Sequence, residues 1–146
     1  MLVFVRFLHI LSMAGWLAAS LWVTGDARRS LAGGRDEAMA FLGRARAALL
    51  TDRAAGALTI FTGLALVHLA NAWPPRIGLV LGFVLALVRA GLTDAVMAPA
   101  LRKIAIGLSQ DAAPASLQPH ARRMASVSGL GHLAWLTALA SMTLGF

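Results

Sequence analysis

Four runs of about twenty predominantly apolar residues constrain this chain more than any other feature; they lie near residues 2–24, 54–73, 77–98 and 124–145. Each is long enough to cross a hydrocarbon core of about 30 Å as a helix, at about 1.5 Å per residue. They are unbroken rather than alternating, which favours helices over strands, and lipid leaves a spanning backbone few other ways to satisfy its polar groups. With 59% hydrophobic residues and a mean hydropathy of +0.76, the composition exceeds the usual apolar share of soluble domains. The expected fold is all-α: an integral membrane four-helix bundle of up-down topology, in one domain over residues 1–146. Ala18, Ala19 and Ser20 resemble a signal cleavage site, but no basic stretch precedes the first run and its charges follow it, so a retained anchor is expected.

The net charge of +7 would suggest nucleic-acid binding in a soluble chain, yet the positions of the charges give a simpler account. Of thirteen basic residues, Arg28, Arg29, Arg35, Arg44, Arg46 and Arg53 fall between the first two runs. Arg89, Arg102, Lys103, Arg122 and Arg123 fall between the middle of the third run and the fourth. Only Arg6 and Arg76 are left for the opposite side. Under the positive-inside rule both termini lie on the outer, periplasmic side of a bacterial-type inner membrane, with the lipid bilayer rather than nucleic acid as the partner.

The Trp73-Pro74-Pro75-Arg76 turn is expected to make the second and third spans antiparallel neighbours. The connection from Thr24 to Arg53 carries Gly33-Gly34, after which Asp36 to Leu50 reads as a basic amphipathic helix, solvated or lying among headgroups. The third helix should continue past Pro99 to about Leu108 and break at Gln110 to Pro114, with His120 in the loop beyond. Gly78, Gly82, Ala86 and Ala90 form a small-residue stripe that should face protein, as should Gly56 and Gly63 on the second span and Gly129 and Gly131 on the fourth.

Ionisable groups inside such spans are costly and are therefore functional candidates: His9, His68, His132, Arg89 and Asp94. His9, Trp16 and Ser20 share one helical face. Counted from the outer ends of their spans, His9 and His68 are level at about 10 Å depth, whereas His132 lies about 10 Å deeper. Two level imidazoles on a helix bundle suit the axial positions of a b-type haem, if the helices splay beyond their usual 8–10 Å spacing, lie diagonally, or leave one axial position to another ligand or to none. Trp16, in mid-span, is a candidate to line the pocket, while Trp22 and Trp73 suit the interface. Arg89 suits a haem propionate, a structural pairing or snorkelling to the interface. Asp94 is a candidate for a proton route or for pairing with Arg89 or Arg102. Cysteine is absent, which excludes disulfides and cysteine-ligated clusters. Nucleotide-hydrolase, serine-esterase and zincin motifs are also absent, and the scattered methionines offer little to copper.

The L-H-x6-W pattern formed by Leu8, His9 and Trp16 resembles the start of the CopD-like small membrane proteins and of the haem-dependent protoporphyrinogen oxidases of the HemJ type. Thr62-Gly63-Leu64, Pro99-Ala100-Leu101-Arg102-Lys103 and Ala140-Ser141-Met142 extend the resemblance. It departs at Trp16-Leu17-Ala18, where those families tend to carry W-x-G, and in the third span, where Arg89 and Asp94 stand. The resemblance implies a membrane helix bundle with His9 in haem or metal binding. The combined expectation is a b-type haem protein of electron transfer, with iron held by His9 and His68 and with His132, Trp16 and Arg89 around the cofactor. Its partners would be a quinone or other redox subunits, within a homo-oligomer or a larger complex. Two other readings are an accessory or assembly subunit without catalysis and a haem-dependent porphyrinogen oxidase.

Overall fold

The computed structural model describes residues 1–143, and all regular structure in them is helical. Four columns run up and down, as expected. The first is α1 (Leu2–Leu21) followed across Trp22 by α2 (Val23–Gly33). The second is the unbroken α3 (Arg35–Leu69), and the reversal between them needs only Gly34, whose φ of 111° suits a residue without a Cβ. The third is α4 (Ile77–Leu92), a π-helical turn at Thr93–Met97 and α5 (Ala98–Ser109). The wide turn, closed by the Ala98 amide on the Thr93 carbonyl, makes room for Pro99, which has no N–H to continue the helical ladder. A 3-10 turn at Pro114–Leu117 leads into the fourth column, α6 (Gln118–Thr143).

By length and composition, Leu2–Gly33, Arg35–Leu69 and Ile77–Ser109 can cross a membrane. Among the described residues α6 is not one of them: its polar first turns (Gln118, His120, Arg122, Arg123) precede a run diluted by Ser126, Ser128, Gly129, Gly131 and His132. The last two residues of the expected fourth span, 144 and 145, lie outside the described residues.

The columns pack in two pairs, α1 on α3 and α4 on α6, and small residues set both contacts. On α3, a Cβ at Gly56 would lie 2.8 Å from the Trp16 ring and one at Gly63 would lie 3.2 Å from His9. On α4, Met142 packs into the space left by Gly82, and the Ser141 hydroxyl donates to the Gly78 carbonyl at 3.1 Å. The glycine stripes of the second and third spans thus face protein, as expected; on α6 Gly131 faces Arg89 while Gly129 is exposed. By contrast α3 and α4, joined by the Trp73-Pro74 turn, touch little. Sequence neighbours are here not close packing neighbours, and a cavity opens between them.

The densest core lies at the basic end. Ala27 and Leu31 of α2, Ala38 and Phe41 of α3, Ile104 and Leu108 of α5 and Ala121 and Met124 of α6 are buried together. This corrects two expectations. Residues 36–50 are not a separate surface helix: they are the first half of α3, whose Ala38, Phe41, Leu42, Ala45 and Ala48 line this core. His120 belongs to the first turn of α6, not to a loop. Ion pairs fasten the outside, with Arg44 forked onto Asp26 at 3.0 Å and Arg35 on Asp111 at 2.7 Å.

Candidate functional site

Two features meet in the apolar half: a buried ion pair and a cavity ending on an imidazole. The ion pair joins Arg89 of α4 to Asp52 of α3, N to O 3.1 Å, and the two side chains are only 4% and 7% exposed. Arg89 Nη2 also donates to the Trp16 carbonyl at 3.0 Å and to the Ser20 hydroxyl at 2.9 Å. The guanidinium carbon lies 4.1 Å from the centroid of the Trp16 ring, a cation–π stack. Thr93, placed by the π-helical turn, donates to the other Asp52 oxygen at 3.1 Å. His132 Nε2 is 3.1 Å from the Ser20 hydroxyl. All four columns therefore contribute to one polar cluster, and buried charges of this kind require such partners.

Sequence reasoning placed Arg89, Trp16 and His132 as candidates, and the structure brings the three together. It missed Asp52, which sits at the edge of the basic segment and so reads as a surface residue. A signal was present: Asp52, Gly56, Thr59 and Gly63 recur at helical spacing on the α3 face that meets α1. Of the roles open to Arg89, the pairing is the one observed; it does not snorkel. Asp94 pairs with neither Arg89 nor Arg102 but with Arg53, at 2.7 Å on the exposed side.

The second feature is centred on His9. Its Nδ1 lies 3.1 Å from the Thr59 carbonyl and 3.0 Å from the Thr62 hydroxyl. The carbonyl can only accept, and the Thr62 hydroxyl already donates to the Leu58 carbonyl at 2.6 Å, so Nδ1 carries the proton. The neutral ring then keeps its lone pair on Nε2, which has no hydrogen-bond partner among the described residues. A cavity of about 460 Å³ opens beside this imidazole between α3 and α4, with Val67, Leu79, Phe83 and Trp73 among its apolar walls. His9 is the one ionisable side chain lining it.

His68 does not join His9. It lies on an exposed face of α3, about 140° round the helix from the Gly63 position that receives the His9 ring. Close contact of α1 with α3 at Gly63 leaves no layer for a macrocycle between them. The expected pair of iron ligands, His9 with His68, is therefore corrected: the helices that carry it pack together instead of splaying. Nor does His132 approach as a third ligand, and among the described residues no three His, Cys, Asp or Glu side chains gather as a metal-holding group.

Comparison of the chain with protein-family models, with curated proteins and with solved structures finds no match in any of the three.

Proposed function

We propose that the protein is an integral membrane electron-transfer protein of the inner membrane that binds b-type haem in the cavity between α3 and α4, with His9 as the protein's iron ligand. The observation that carries this reading is the anchoring of His9 Nδ1 on the Thr59 carbonyl. Ligating histidines characteristically donate their second ring nitrogen in this way, which orients the ring and raises the basicity of the ligating nitrogen. The cavity volume of about 460 Å³ and its apolar walls suit a flat, lipophilic group. Among the described residues lining it, the Met142 thioether is the other donor that iron accepts. When bound there, haem supplies one-electron exchange at a potential tuned by ligand identity and burial. The chain itself fixes the imidazole and lines the cavity with apolar side chains, and a quinone or a redox subunit is the partner this reading calls for.

An absorption spectrum of the protein purified in mild detergent with haem tests this. A Soret band lost in His9→Ala and kept in His68→Ala and His120→Ala supports the assignment. A protein that takes up no haem overturns it, and an accessory role in a larger membrane complex then becomes the leading reading. Turnover of a porphyrinogen by the haem-loaded protein would extend the assignment to the oxidase-like activity implied by the resemblance.

A further inference from the structure

A second, smaller chamber of about 30 Å³ lies among α1, α3, α4 and α6, inward of the large cavity. His9, Thr59, Ala86 and Met142 line both spaces, so the two adjoin. The polar lining of the small chamber is unbalanced. Arg89 Nη1 and Trp135 Nε1 both belong to side chains that line it, and both are buried N–H donors without a partner among the described residues. Trp16 lends its ring to the wall, and its own Nε1, also without a partner, lies on the edge turned to Gly56. Asp52 engages Arg89 through Nη2 alone and lines a different void, with Ser20 and Thr93. No acidic side chain is among the residues lining the chamber. Buried donors left unmade are expensive, and two on side chains around one small space call for an acceptor.

We infer that this chamber receives the carboxylate of an amphiphile whose apolar body fills the outer cavity. A carboxylate only accepts hydrogen bonds, and a guanidinium edge and an indole N–H on side chains lining one small chamber offer it a charge-assisted and a neutral donor. The distance between the two spaces is suitable. Trp16 lies seven residues from His9 on α1, about 10 Å further in, so a body seated beside His9 can extend an acidic arm to Arg89. The same chemistry comes from two sources, a porphyrin propionate or a fatty acid. The inference rests on the outer cavity being a ligand site, but not on iron.

The experiment compares acids with their esters on the full chain in neutral detergent micelles. Iron protoporphyrin IX is titrated against its dimethyl ester by the Soret band, and palmitic acid against methyl palmitate by tryptophan fluorescence. At least one acid should bind roughly tenfold more tightly than its ester, as expected for charge-assisted hydrogen bonds. Trp135→Phe, which removes one donor and keeps an aromatic ring, should shrink that preference to about threefold. Preference for the porphyrin acid alone or for the fatty acid alone identifies the source, and either supports the site. Equal binding of acid and ester, no binding of either acid, or an acid preference untouched by Trp135→Phe overturns it. Discrimination between palmitic acid and its ester without any Soret band sinks the haem reading and leaves this one standing; haem uptake with neither acid preferred over its ester does the reverse.

Discussion

The basic half of the molecule and its apolar half are held together by different forces. At the basic end α2, the first half of α3, α5 and the start of α6 enclose a close-packed core, in which Ala38, Phe41, Ile104, Leu108 and Ala121 are fully buried. At the apolar end large side chains such as Phe61, Val84 and Leu133 face outward, and the interior holds glycines, hydroxyls and an ion pair. The contrast is the one expected if, as proposed, the apolar half sits in lipid and the basic half outside it. Against water, burying apolar area drives helices together. Against lipid it does not, so close backbone approach and interhelical hydrogen bonds carry the association, as the Thr59–Ser12 and Ser141–Gly78 bonds do here. The half held by polar contacts is also the half with a cavity, because nothing there drives α3 onto α4.

The largest test of this contrast is at the ion pair. Asp52→Leu leaves Arg89 buried without its counter-charge and should cost about 3–5 kcal/mol, read as a lost or strongly lowered unfolding transition in detergent. Asp52→Leu combined with Arg89→Leu should recover most of that loss. If the single change is silent, the cluster does not hold the apolar half.

Next come paired truncations in the two halves. Ile104→Ala and Phe41→Ala in the basic core should each destabilise by about 2–5 kcal/mol. Phe83→Ala, which only widens an existing cavity, should cost under about 1 kcal/mol, its neighbours having already lost contacts on that side. Equal losses at the two ends, measured by denaturant titration, would erase the distinction. Gly56→Ala should cost about 1–3 kcal/mol through its collision with the Trp16 ring, and Gly129→Ala, with open space around it, should be near neutral or stabilising. The smallest effect belongs to the exposed Arg53–Asp94 pair: Asp94→Asn should change stability by no more than about 1 kcal/mol and fade with added salt.

Much of the scaffold was readable from the chain alone. Apolar run lengths gave four columns, Pro74-Pro75 and Gln110 to Pro114 gave two of the reversals, and the glycine spacings gave the contact faces of α3 and α4. The site was readable only in pieces. His9, Trp16, His132 and Arg89 stood out because each is anomalous in an apolar run. Asp52 did not stand out, since an acid beside Arg53 at the edge of a basic segment looks solvated until the fold turns α3 over it. His68 stood out by its chemistry, yet its side chain is exposed and apart from His9, because depth along a helix says nothing of which way a side chain faces at the contact.

What the sequence by itself determined is the set of local choices: where backbone hydrogen bonds must close within a helix, where Gly34 and the prolines reverse or interrupt it, and which residues are costly to leave in an apolar setting. Only the tertiary structure decided the partners: that Arg89 answers Asp52, that Thr59 orients His9, and that α3 and α4 part to leave a cavity. Helical period and residue chemistry act over a few residues and can be read along the chain. Pairing across 37 positions, as between Asp52 and Arg89, depends on how four columns rotate and approach, and small residues such as Gly56, Gly63, Gly82 and Gly131 settle that approach only once all of them pack.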